Sequence, residues 1–334
     1  MPSISSLGEQ ALLERIRARA GAPPSWIPLG IGDDAAVLAP ERGTFDVVTT
    51  DTLVDGVHVR LGRTSARDAG HKALATSLSD LAAMGAAPRA ALLNLALPPD
   101  LEVDAFDAFI DGFVALGERH RMPLVGGNLS ATAGPLVAAT TAIGSVAHRR
   151  VMTRSGGRPG DELYVTGTLG AAAAGLAILD AGADRAALDA ELTECVARHE
   201  RPEARLRCGV IVGRSRAAHA CIDLSDGLAD GAARIAAASG TGAILEAAAL
   251  PTHPGASRWA ASTGADALAW ALSGGEDYEL LFAVAPRARR AFVGALSRCQ
   301  GLPIARVGRL TQEPGTWLRG PAGDTPLGAG FVHF

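Results

Sequence analysis

Carboxylates recur in this chain inside short turns rich in glycine, serine and threonine: Gly32-Asp33-Asp34, Thr49-Thr50-Asp51-Thr52, Ser79-Asp80, Asp223-Leu224-Ser225-Asp226-Gly227 and Gly274-Gly275-Glu276-Asp277. Carboxylate and hydroxyl oxygens are ligands for a hard cation such as Mg²⁺. That cation can bridge to phosphate oxygens, which bare carboxylates would repel. The pattern therefore points to metal-bound phosphate chemistry. Each segment also has a plainer reading. Asp33 and Asp34 fit a turn stabilised by an aspartate side chain, the threonines fit cross-strand pairs, and Asp80 fits a solvated helix position. One of Asp223 and Asp226 fits an N-cap, which leaves the second acid for a cation. Gly274 to Asp277 reads equally as a tight turn.

Other phosphate motifs are excluded or weak. Gly30-Ile31-Gly32-Asp33-Asp34-Ala35 has the outline of a dinucleotide fingerprint, which must follow a strand and open a helix. Here it follows Pro28-Leu29 and enters a β-like run, and two aspartates would repel a pyrophosphate. Lys72 is the one lysine among 31 basic residues, so no Gly-Lys-Ser/Thr phosphate loop exists. Gly167 to Gly170 could turn backbone amides toward a phosphate, and Arg154 could clamp one through its guanidinium. His58 could contact an anionic substrate.

The elements that must position these residues follow from periodicity. Glu9 to Ala20 reads as a helix ending at Gly21, and Ser65 to Gly85 as another, with Leu74, Leu78 and Leu81 on one face and Lys72, Thr76 and Asp80 roughly opposite. Ala35 to Leu38 and Phe45 to Val59 contain strand-like runs on either side of a turn at Pro40 to Gly43. Ala90 to Leu97 reads as a strand, Val103 to Arg121 as a helix, Pro123 to Val125 as a short strand ending at Gly126-Gly127-Asn128, and Leu136 to Val146 as a strand. Arg154 to Asp161, rich in Gly, Arg and Pro, marks a domain boundary. Beyond it the reading gives strands at Leu163 to Thr166, Ala220 to Asp223, Ala243 to Ala248, Tyr278 to Val284 and Ile304 to Leu310. Helices are read at Ala171 to Asp180, from the Ser-Asp-Gly turn to Ser239, at Ala265 to Leu272 and at Arg287 to Cys299.

Composition sets outer limits. A length of 334 residues favours two domains. No apolar run approaches a membrane span, and the polar N-terminus lacks a signal-peptide core, so a cytoplasmic protein is expected. A net charge of −4 without basic blocks argues against a nucleic-acid surface. Cys195, Cys208, Cys221 and Cys299 lack metal or redox spacing and read as buried thiols.

In order along the chain, Gly30-Ile-Gly-Asp-Asp-Ala35, Thr50-Asp-Thr-Leu-Val54, Lys72-Ala-Leu-Ala75, Leu78-Ser-Asp-Leu-Ala-Ala-Met-Gly-Ala86, Thr153-Arg-Ser-Gly156, Tyr164-Val-Thr-Gly-Thr168, Ile222-Asp-Leu-Ser-Asp-Gly-Leu228 and Leu272-Ser-Gly-Gly-Glu-Asp-Tyr-Glu-Leu280 resemble the thiamine-monophosphate kinase family over nearly the whole chain. The resemblance implies an α/β (α+β) chain of two domains with the aminoimidazole-ribonucleotide-synthetase-like fold. Residues 1–149 would bind ATP and Mg²⁺ and dimerise, and residues 150–334 would complete the active site. It implies transfer of the γ-phosphoryl of ATP to thiamine monophosphate by a homodimer that binds several Mg²⁺ ions and needs no covalent nucleophile or general base. Asp34, Thr49, Thr50, Asp51, Asp80, Asn128, Asp223 and Asp226 would form the metal shell. Gly127, Asn128, Arg154 and Ser225 would contact ATP, and His58, Glu276 and Phe331 the thiamine monophosphate. The alternatives are a relative that uses ATP to activate an amide or carbamoyl oxygen, and a non-catalytic ATP-binding paralogue. Members of the family often carry Gly-Gly-Asp where this chain has Gly126-Gly127-Asn128. Asn128 still offers a carbonyl oxygen but no charge, so a raised Mg²⁺ requirement is the measurable expectation.

Overall fold

The computed structural model describes residues 2–299 and 301–327. They divide into two compact units: residues up to Leu81 with Ala87–His148, and Ala82–Ala86 with residues from Arg149 onward.

The first unit runs α1 (Glu9–Ala20), β1 (Thr44–Val54), α2 (Ala66–Ala83), β2 (Ala87–Leu97), α3 (Val103–Arg119), β3 (Leu124–Ala131) and β4 (Val137–Ala147). Its sheet has the order β1-β4-β2-β3, with β4 antiparallel to both neighbours and β3 parallel to β2. Strand alternation puts Thr49, Asp51 and Leu53 on one face of β1 and Val48, Thr50 and Thr52 on the other. The first of these faces meets α2, where the buried Thr140 hydroxyl, opposite Asp51 in register, donates to the Ala73 carbonyl at 2.8 Å.

Leu74, Leu78 and Leu81 are fully buried, as their spacing predicts. Lys72 is buried too, its Nζ donating to the His58 carbonyl at 3.0 Å, so α2 is enclosed rather than amphipathic. Glycine is the reason. A Cβ at Gly70 would overlap the Phe109 carbonyl and one at Gly112 the Arg67 carbonyl, so α2 and α3 cross backbone to backbone. Two sequence expectations fail here. Ala35 to Leu38 is no strand, because Val37 makes only a single bridge to Leu29 and pairs with no ladder. And β3 does not stop before Gly126 but continues through Asn128 to Ala131, with β2 shifting register between Ala91 and Leu92. Only glycine fits at position 127, where a Cβ would overlap the Leu93 carbonyl.

The second unit contains β5 (Glu162–Thr166), α4 (Ala171–Asp180), α5 (Ala190–Glu200), α6 (Leu206–Ser215), β6 (Ala220–Asp223), α7 (Leu228–Ser239), β7 (Gly242–Glu246), α8 (Pro254–Thr263), α9 (Ala267–Ser273), β8 (Leu280–Val284), α10 (Arg289–Leu296), β9 (Ile304–Thr311), β10 (Gly315–Gly320) and β11 (Gly323–Pro326). The sheet order is β11-β10-β7-β9-β5-β8-β6, and only the β10–β7 pair is parallel. Leu163, Val165, Ile222 and Leu281 from the strands pack with Leu228, Ala232 and Ile235 of α7. At about 1.5–3 kcal/mol for each large buried side chain, this core fixes where β6 ends and α7 begins. The sequence reading lacked α5, α6, α8, β10 and β11.

Between α9 and β8 the chain makes an unusual turn in which Glu276 and Tyr278 both hold positive φ, +69° and +50°. Such backbone is costly for residues with a Cβ and persists only when the surroundings hold it. Asp277 accepts the Gly170 and Ala172 amides at 2.6 and 3.1 Å, closing the N-terminus of α4. Glu279 is completely buried, receiving the Thr166 hydroxyl at 2.6 Å, Arg198 Nη2 at 2.6 Å and Arg205 Nε at 2.7 Å. Tyr278 N–H reaches the Leu224 carbonyl at 3.0 Å.

Burial pushes the Asp277 carboxyl up to about 6, against the pull of the two amides. A raised acid pKa stabilises the fold at low pH, so that contribution is present below pH ~4 and lost as pH rises through the folded value. Relative to an Asp277→Asn variant, the natural protein should lose on the order of 2 kcal/mol of unfolding free energy between pH ~4 and ~6. Denaturant titrations across that range read the difference, and parallel pH profiles for the two proteins would show that Asp277 does not titrate there.

Candidate functional site

In the first unit the structure joins Thr49, Asp51 and Asp80 on the face between β1 and α2. Thr49 Oγ1 donates to the Asp80 carboxylate, and Ser77 Oγ donates to Asp51 Oδ2 at 2.6 Å. The geometry follows from two periods: Thr49 and Asp51 alternate along the strand, while Ala73, Ser77 and Asp80 follow one another down the helix. Burial raises the Asp51 pKa, Ser77 opposes the rise, and the neighbouring Asp80 charge adds to it. Two partly buried carboxylates thus face each other with hydroxyls as their partners and no basic side chain among those bonds. An all-oxygen, anionic donor set of this kind fits Mg²⁺ and does not fit a soft metal.

The remaining first-unit candidates are held by other contacts. Thr50 points to the opposite face, its hydroxyl donating to the Thr140 carbonyl at 3.0 Å. Asp34 is exposed in the turn after Gly32, with its amide held by Asp33 Oδ1 at 2.9 Å. Gly127 and Asn128 lie on the edge strand β3, with Asn128 exposed and in register with Asn94. His58 Nδ1 accepts the Val54 amide at 3.0 Å, which requires the tautomer with its proton on Nε2. Among the described residues, no group of three or more His, Cys, Asp or Glu converges as a metal cage. The acids come in pairs supplemented by hydroxyls.

In the second unit, Asp223 ends β6 and is buried, and Ser225 and Asp226 follow in the turn that opens α7. The N-cap of α7 is Gly227, so neither aspartate occupies the capping position itself. Ser225 Oγ donates to Asp226 Oδ2 at 3.2 Å, and Arg234 Nη2 lies 3.7 Å from the same carboxylate while also pairing with Asp230. The Gly274 to Glu276 segment lies directly on this turn. Glu276 N–H donates to the Ser225 carbonyl at 2.7 Å, and a Cβ at Gly275 would come within 2.6 Å of that same oxygen. The structure therefore brings Glu276 beside Ser225 and Asp226. Arg154 is exposed in the segment before β5, its carbonyl accepting Ser239 Oγ at 3.4 Å. Phe331 falls outside the described residues.

Sequence reasoning missed α5, whose last turn carries Arg198 and His199. The signal was present: Asp189 caps the helix through the Glu191 and Leu192 amides, and Leu192, Cys195, Val196 and His199 recur at helical spacing. Cys195 Sγ lies 3.4 Å from His253 Nδ1, and Glu194 lies 3.5 Å from His253 Nε2. That outline suggests an activated thiol, but burial pushes the Cys195 pKa up to about 12, and His253 Nδ1 already accepts the Gly255 amide at 3.1 Å. This cluster closes the start of α8 and does not supply a nucleophile.

Family models describe the same two halves. Residues 32–146 match the AIR synthase related protein, N-terminal domain, and residues 158–319 the corresponding C-terminal domain. The chain is 42% identical to thiamine-monophosphate kinase of Escherichia coli (strain K12) over 309 residues, 92% of this chain and 91% of that one. The crystal structure of thiamine-monophosphate kinase from Stenotrophomonas maltophilia K279a superposes with a TM-score of 0.82 at 40% identity, over 93% of this chain and 96% of that one. A structure of AaThiL complexed with AMPPCP and TMP gives a TM-score of 0.78 at 29% identity, over 100% and 99% of the two chains. With these matches spanning both units, the chain belongs to the thiamine-monophosphate kinase family.

Proposed function

We propose that this chain is a cytoplasmic kinase that transfers the γ-phosphoryl group of ATP to thiamine monophosphate, giving thiamine diphosphate and ADP. The observation that carries the reading is family membership over both units, including a relative whose structure holds an ATP analogue together with TMP. The Asp51–Asp80 pair, bonded by hydroxyls, fits the same chemistry.

The acceptor is already an anionic phosphate oxygen, so the reaction needs no strong general base; its barrier is the repulsion between two polyanions. When bound, Mg²⁺ supplies charge neutralisation between them. Asp51, Asp80 and Thr49 would hold one such ion in the first unit, Asp34, Asn128 and Thr50, whose hydroxyl faces away from that pair, would serve others, and Asp223 and Asp226 would hold ions in the second unit. Asn128 contributes an oxygen without charge. Gly127, Arg154 and Ser225 would contact ATP: the missing side chain at Gly127 leaves its backbone open to close approach, and the Arg154 guanidinium is a planar fork for phosphate oxygens. His58, whose Nδ1 accepts the Val54 amide, would meet the thiamine monophosphate. Glu276, with Phe331, would meet thiamine monophosphate, whose thiazolium cation a carboxylate complements.

A homodimer is part of the proposal. Phe45 and Val48 are 52% and 62% exposed on β1, an edge strand, and a second copy would cover them. Sedimentation should give the dimer mass for the natural protein and a monomer for Val48→Asp; a monomeric natural protein contradicts this part. For the reaction, ADP release is measured with thiamine monophosphate, thiamine or formylglycinamidine ribonucleotide as acceptor. Stimulation by the monophosphate alone is expected. Stimulation by the ribonucleotide instead identifies an amide-activating relative, and ATP binding without any stimulation identifies a non-catalytic paralogue.

A further inference from the structure

His199 sits in the last turn of α5, 5% exposed, and its Nδ1 is a buried polar atom without an aligned hydrogen bond. The same atom lies 3.1 Å from Glu276 Oε2. The separation is that of an ion pair while the angle falls outside hydrogen-bond geometry. Arg198, the preceding residue, grips Glu279. One helix end therefore holds two acids of the same turn, Glu279 through Arg198 and Glu276 through His199.

The two contacts differ in kind. Glu279 is enclosed, with two guanidiniums and a hydroxyl upon it, and has no access to a ligand. The Glu276 side chain is 25% exposed, and its backbone is fixed at positive φ against the Ser225 carbonyl. Backbone fixation sets where Cβ points but leaves three side-chain torsions open. We infer that His199 is a positioning residue that holds the Glu276 carboxylate in place to receive thiamine monophosphate. The inference rests on the proposed function and adds to it a residue that touches no substrate. α5 in turn is fixed by close packing on α4, where a Cβ at Gly175 would overlap the Cys195 carbonyl.

The test is a kinetic double-mutant cycle on the full-length protein with His199→Leu, Glu276→Gln and both together. His199→Leu should raise KM for thiamine monophosphate about tenfold while leaving KM for ATP and kcat nearly unchanged. In the Glu276→Gln background the same change should add little, since the group it acts through is gone. His199→Asn, which keeps a donor near the Nδ1 position, should restore most of the affinity; a merely space-filling role would be served equally by Leu. Equal effects of His199→Leu in both backgrounds, or a fall in kcat with both KM values unchanged, overturns the assignment in an enzyme that otherwise behaves as proposed. A natural protein whose ADP release thiamine monophosphate does not stimulate overturns the functional reading as well, so the two failures are distinguishable.

Discussion

Placing carboxylates close together and away from water is the constraint on which this structure depends. An ionised carboxylate out of bulk solvent needs a compensating charge or several hydrogen-bond donors, or its pKa rises. The chain meets that demand in two distinct ways. Glu279 has Arg198 and Arg205, Glu162 has Arg289 and the Tyr164 hydroxyl, and Asp107 has Arg15 and Arg19. These acids are satisfied by the protein itself and hold elements together. Asp51 and Asp80 have only hydroxyl hydrogens from Ser77 and Thr49 and sit within range of each other's charge. Among the described residues no basic side chain bonds either of them, and burial together with the Asp80 charge raises the Asp51 pKa, so a bound cation would relieve the pair.

That distinction separates scaffold from site more sharply than residue type does. The Gly274 to Glu279 turn carries three acids in four residues, yet Asp277 and Glu279 are internal fasteners, the first closing α4 and the second binding α5 and the approach to α6. Only Glu276 retains an accessible carboxylate. The two fasteners, with the backbone bonds to Leu224 and Ser225, hold a turn of positive φ that would otherwise relax, and so fix Glu276 against the Ser225-Asp226 turn. Long-range ion pairs thereby determine where the Glu276 carboxylate, the group proposed to meet thiamine monophosphate, lies.

Much of this was legible in the sequence. Leu74, Leu78 and Leu81 announced α2, and the Asp223 to Gly227 string placed its acids between β6 and α7, because local periodicity and turn chemistry decide both. The resemblance of the ordered motifs supplied the family. What stayed hidden depends on contacts across long sequence separations. Lys72 reads as a surface residue until the Gly70 and Gly112 crossing encloses α2, and the Gly126-Gly127-Asn128 turn reads as a strand end until β2 shifts register to carry β3 through it. Asp277, Glu279 and His199 gave no local sign of their roles, since each partner lies tens of residues or more away in sequence.

The most direct test of the claim that Asp51 and Asp80 are compensated by a bound cation is the Mg²⁺ dependence of thiamine diphosphate formation in the natural protein and in Asp51→Asn. Substituting an amide keeps the shape of the site, the contact with Ser77 and the fold, while removing one charge. The Mg²⁺ concentration for half-maximal activity should rise about tenfold or more in the variant. Superimposable Mg²⁺ titrations for the two proteins would contradict the account and assign the Asp51–Asp80 pair to the scaffold.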